Sequence, residues 1–122
     1  MVIVVASKSR YVGSVTPPAL NTETTVVEIP AQTDDYIVEG YISLQNLASG
    51  DTVVIREYIA VDGVNYVQFV SVTYSGAVEN PAVRFHAKLF TYNMKYKVTV
   101  TQTGGTLRSY PYGFILEVLG EM

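Results

Sequence analysis

The chain has 122 residues, with eight Lys or Arg against eleven Asp or Glu, one His and no Cys or Trp, for a formal net charge of −3. That length suits one domain able to bury a core without covalent staples. The missing cysteines exclude disulfides and thiolate metal sites, the lone histidine excludes most zinc and iron chemistry, and the acidic balance disfavours nucleic acid as the main partner.

From the N-terminus, residues 2–6 form an apolar run too short for a signal-peptide core and without a basic region before it. No other stretch approaches membrane-spanning length. We therefore expect no membrane partner and no passage through the general secretory route. Residues 7–22 contain Gly13, Pro17 and Pro18 and read as an extended arm or linker. Residues 1–22 thus form an N-terminal strand and arm, which docks on its own sheet or on a neighbour's edge. Residues 23–122 form the β-domain.

Residues 25–29 predict a short strand closed by Pro30. Over residues 36–44 the alternation puts Tyr36, Val38, Ile42 and Leu44 on one face and Ile37, Glu39, Tyr41 and Ser43 on the other. Gly40 falls mid-strand, where it marks a bulge or a close backbone approach. Residues 52–61 are apolar on both faces except at Arg56 and Glu57, which predicts two-sided burial or a subunit interface. The Asp62-Gly63 pair signals a hairpin into the strand at 66–74.

After a loop at 75–81, residues 83–90 and 94–102 alternate apolar and polar side chains almost without error. Residues 103–106 read as a hairpin turn, and a last strand at 114–119 follows the breakers Pro111 and Gly113. No window of eleven or more residues carries a helical period. The fold class is all-β: a single antiparallel β-sandwich, jelly roll or small barrel of about seven or eight strands with an extended N-terminal arm.

The paired alternating strands place Arg84, His86 and Lys88 on one wet face, beside Lys95 and Lys97. A solvated sheet face accounts for such a row, since charge discourages edge aggregation. Its functional version is a docking surface for an acidic partner. His86 between two cationic neighbours is a poor base for a Ser-His-Asp triad. Glu39, Glu57 and Glu117 on strands are better read as cross-strand partners than as paired glycosidase carboxylates. Asp34, Asp35, Asp51 and Asp62 sit in turns, where carboxylates cap backbone donors more often than they bind calcium. We expect no catalytic residue, no metal and no cofactor.

Hydrophobic residues make up 48% of the chain, charged ones 16%, and ten are tyrosines. That balance predicts a homo-oligomer. The candidate interface combines the apolar start, Val2, Ile3, Val4 and Val5, with Tyr11, Tyr41 and Tyr58 and with Tyr92, Tyr110 and Tyr112. The same tyrosines admit a carbohydrate- or receptor-binding module as an alternative. A strand-exchanging extracellular filament is another.

The stretch 36–118, with Tyr41-Ile42-Ser43-Leu44, Gly50-Asp51-Thr52-Val53-Val54-Ile55-Arg56-Glu57-Tyr58 and Lys97-Val98-Thr99-Val100-Thr101-Gln102-Thr103, resembles small all-β accessory proteins that decorate or cement the capsids of tailed viruses. The resemblance covers about two thirds of the chain and supplies no site residue. It implies symmetric assemblies, trimers foremost, with other capsid or assembly subunits as partners. It also implies no catalysis and a virion location after synthesis in a host cytoplasm, with an extracellular location as the alternative.

Overall fold

The computed structural model describes residues 2–121. Eight strands run β1 Ile3–Val15, β2 Thr24–Ile29, β3 Tyr36–Ser43, β4 Thr52–Ala60, β5 Val67–Ser75, β6 Ala82–Phe90, β7 Lys95–Gly104 and β8 Tyr110–Glu121. They form two four-stranded sheets, β1-β8-β3-β6 (sheet A) and β2-β7-β4-β5 (sheet B), antiparallel throughout. β1 pairs with β8, β2 with β7, β3 with β6 and β4 with β5. The chain is thus one long folded ribbon, turned at the β4–β5 loop and rolled into a sandwich, which is the jelly roll among the architectures expected.

The rolling explains where sequence expectation fails. Residues 83–90 and 94–102 are not a hairpin, because β6 lies in sheet A and β7 in sheet B. Residues 103–106 likewise end β7 and begin a crossing to sheet A instead of turning a hairpin. Residues 7–15, expected as an arm or linker that docks on its own sheet or on a neighbour's edge, belong to β1 and take the first of these places, along β8 of their own chain. Only residues 16–23 remain as a connection. β8 also continues through Pro111 and Gly113 from Tyr110. Pro111 is tolerated at the second position of the strand, where little of the ladder needs its missing donor.

The core follows from alternation. Tyr36, Val38, Ile42 and Leu44 are buried as expected and meet Val53, Ile55, Val98 and Val100 of the opposite sheet. Aromatic rings join the two layers: Tyr36 stacks on Phe90 with centroids 5.1 Å apart, and Phe90 meets Tyr96 at 5.5 Å. Buried hydroxyls have partners. Tyr36 donates to the Met94 carbonyl at 2.6 Å and Tyr110 to Gln102 Oε1 at 2.8 Å. Burial pushes both phenols up to about 12, so they remain donors across the ordinary pH range. Among the described residues no buried side-chain nitrogen or oxygen lacks a partner, as a stable interior requires.

Gly40 is both things its position suggested. The β3–β6 register shifts beside it, where His86 and Ala87 together face Glu39. A Cβ on Gly40 would stand 2.4 Å from the Gly113 carbonyl oxygen and 2.4 Å from Phe114 Cδ2. Gly113 differs, since nothing lies within 4 Å of a Cβ built there. Gly40→Ala is expected to destabilise the fold by about 1–3 kcal/mol through overpacking, and Gly113→Ala to change stability by less than about 1 kcal/mol. Chemical denaturation of the two variants checks the contrast.

Candidate interaction surfaces

The five basic side chains of the expected stripe do not share a face. Arg84 and His86 are exposed on the outer side of sheet A, whereas Lys95 and Lys97 are half-buried on sheet B. Lys97 lies over the rings of Tyr58 and Tyr66, 5.1 and 4.5 Å from their centroids, a cation–π arrangement that holds its charge at home. Lys88 departs furthest from expectation. The extra residue at His86 and Ala87 reverses the alternation, so Lys88 turns inward and Leu89 outward. Its Nζ reaches Glu57 Oε1 at 3.0 Å, and the buried Glu57 also accepts the Tyr96 hydroxyl proton. Lys88 on β6 and Glu57 on β4 therefore clasp the two sheets together. A docking surface for an acidic partner retains only Arg84 and His86 from the original row.

The candidate interface residues also divide. Ile3 and Val5 are exposed at the start of β1, as are Val2 before it and Tyr41 and Tyr92 elsewhere. Val4, Tyr11, Tyr58 and Tyr112 are half-buried. Tyr110 is fully buried and belongs to the core, because β8 begins four residues earlier than expected and carries it inward. Tyr58 is engaged with Glu23, which also accepts from Thr99 Oγ1 at 2.6 Å. The Thr99 bond, then the Tyr58 bond, holds the Glu23 carboxyl below the usual range. This outer layer of side chains explains the two-sided burial of β4.

The carboxylates do not converge. Glu57 is inside, while Glu39 and Glu117 lie on the open outer face of sheet A, next to Ile115 and Ile37 in register. The turn aspartates cap donors in their own loops or in neighbouring ones. Asp62 accepts from Val64 N at 2.8 Å and Asn65 N at 2.7 Å, and Asp35 accepts from Tyr92 N. Asp51 is buried and holds Ala48 N, Thr106 N and Arg108 Nε. Among the described residues no group of three His, Cys, Asp or Glu is placed to hold a metal ion. No described helix is long and apolar enough to cross a membrane.

What remains open is surface. A depression of about 410 Å³ lies on the outer face of sheet A, lined by Arg10, Val12, Glu39, Tyr41, Gly113 and Ile115 among others. Gly113 floors it, because the residue that faces outward there has no side chain. The other open feature is β5, the edge of sheet B, whose nine residues include no charge and no proline. Val67, Phe69 and Val72 are exposed on it. Sequence reading missed Arg10 and Val12, which it put in a linker. The uncharged run at 67–75 was a visible signal, but only its position at an edge gives it meaning.

No protein-family model matches the chain, and no curated protein matches it in sequence. In fold it is similar to VP2 of infectious bursal disease virus. A VP2 variant in T=1 particles aligns with a TM-score of 0.50 and 9% identity, over 92% of this chain and 31% of that one. The VP2 subviral particle aligns at 0.47 and 10%, over 96% and 32%. The chain therefore spans about a third of the length of these structures. At such identity the likeness is one of fold.

Two outcomes follow from the charges with fixed partners. Lys88→Met is expected to destabilise by about 3 kcal/mol, because it leaves Glu57 buried without its cation. Adding Glu57→Gln, which still accepts from Tyr96, is expected to recover most of that loss in a denaturant double-mutant cycle. The second concerns acid. Asn65 and Val64 backbone donors hold Asp62 down to about 2, and Arg108, then Ala48, holds Asp51 below its usual range. Folded values below the unfolded value of about 4 give stability that is full above about pH 4 and lost as pH falls through the folded values. Melting temperature is expected to be level near neutrality and to fall between about pH 4 and about pH 2, less steeply in Asp62→Asn.

Proposed function

We propose that the chain is a non-catalytic structural subunit that assembles with copies of itself and with other capsid or assembly subunits, decorating or stabilising a virion shell. The observation that carries this reading is β5, an open edge without one charged side chain and with Val67, Phe69 and Val72 exposed. Proteins that stay apart blunt such edges with charge, proline or bulges, and of these β5 has only a bulge at Phe69. The other three edges of this sandwich carry Lys8 and Arg10, Glu28, or Arg84 and His86. An uncharged edge is suited to extension or cover by a neighbour. The jelly-roll fold shared with VP2 in T=1 particles supports the virion setting.

Trimers are the expected closed form, and the exposed Val2, Ile3 and Val5 offer a further apolar contact. The depression beside Tyr41 favours the carbohydrate- or receptor-binding alternative, with Arg10 and Glu39 as partners for sugar hydroxyls, but Val12 and Ile115 leave much of its wall apolar. The full-length protein is expected to sediment as an oligomer. Val67→Lys with Phe69→Lys is expected to shift it to a smaller species while leaving the β-sheet circular dichroism intact. A wild-type monomer at every concentration, with no assemblies in electron micrographs, overturns the reading. Fibres in place of closed particles convert it to the filament alternative.

A further inference from the structure

The outer face of sheet A presents an arrangement that neither the core nor the β5 edge explains. Arg10 on β1, Ile115 on β8 and Glu39 on β3 lie in one cross-strand row. Val12, Gly113 and Tyr41 form the neighbouring row on the same strands. Val12 is 73% exposed and Tyr41 54%. Large apolar side chains thus flank a glycine above which nothing stands. Arg10 and Glu39 are opposite charges two strand spacings apart, about 10 Å. Among the described residues neither has an ion-pair partner.

We propose that this face binds the same face of a second copy about a twofold axis that runs parallel to β8, over Gly113 and Ile115. Rotation about such an axis exchanges the two sides of β8 and keeps the height along it. It therefore carries Arg10 of one copy over Glu39 of the other, and the reverse, forming two equivalent ion pairs from side chains that have none among the described residues of one chain. The same operation carries Val12 over Tyr41. These apolar pairs close the space above Gly113 from both sides, at the roughly 10 Å separation of stacked sheets. Gly113 and Ile115 meet their own equivalents, as residues on an isologous axis must. Glu117 also lies near the axis and meets its own equivalent, and Lys8, in register beside it on β1, offsets that repulsion without an ion pair among the described residues.

The charges select this occupant. A sugar would leave the apolar walls unmatched, and an unrelated partner has no reason to present cation and anion in mirrored order. A twofold contact of this kind links oligomers of any internal symmetry, trimers included. The inference rests on the assembly reading above, and names the surface and the partner for it.

The experiment uses charge reversal in the full chain, read by sedimentation at a series of protein concentrations. Arg10→Glu alone and Glu39→Arg alone each place like charges in both pairs, and each is expected to weaken the twofold association about tenfold or more. The double variant R10E/E39R is expected to recover it. An equimolar mixture of the two single variants is also expected to recover it, because each then supplies the charge that the other lacks. This rescue by mixing separates a contact between chains from a folding defect within one. Unchanged mass in both single variants, or no recovery in either rescue, overturns the proposal while an oligomeric wild type leaves the assembly reading standing. A wild type that is monomeric throughout overturns both.

Discussion

Every strand of this sandwich is held by a partner from the other half of the chain, and the closure of β1 on β8 completes the set. The chain has no cysteine to form a disulfide, and among the described residues no helix shares the load. The two sheets are joined by what their inner faces carry: aliphatic side chains, a band of aromatic rings, and polar groups with matched partners. Register is therefore strict, since sliding one strand by one residue would exchange its buried set for its wet set. Bulges relieve the strictness locally. One in β1 between Val5 and Ser7 and one in β6 at His86 and Ala87 let strands bend while the inward side chains stay inward. Nearly all the pairing joins residues distant in sequence, which points to slow folding for a chain of this size.

The interior also governs the charges. Asp51, Glu57 and Lys88 are ionisable groups out of ordinary contact with water, and each has a designated partner. Among the described residues the sandwich satisfies its buried polar side chains internally. Its unsatisfied features are of another kind: apolar surface on β5 and two unpaired opposite charges around Gly113 on sheet A. Such features are met by protein surfaces more readily than by small substrates.

Much of this was legible in the sequence, and the limits have a physical form. Alternation reports which residues share a face, so 36–44 and most of 95–102 were assigned correctly. It does not report which strand lies alongside. That is why 83–90 and 94–102, neighbours in sequence and alike in pattern, are in different sheets. A bulge adds one residue without marking the sequence, and Lys88 turned inward for that reason alone. The Asp62-Gly63 hairpin could be read because its turn chemistry is local, with Gly63 at φ 80°. Gly105 has a similar φ of 82° yet opens a crossing between sheets. Of the depression on sheet A, Tyr41 and Glu39 were placed on the right face. Its other side needed the pairing of β1 with β8.

That same pairing sets the start of β1 beside the end of β8. Ile3 lies opposite Glu121, so the polypeptide enters and leaves the fold at adjacent points about 5 Å apart. A domain with this property can be carried within a loop of a larger protein without stretching its host. It can also be joined end to start through a short linker and reopened at an exposed turn such as Asp62-Gly63, the order of its strands permuted and its pairings unchanged. Continuity of the backbone is then a convenience of synthesis, and the fold rests on the nested pairing and the core packed between the sheets.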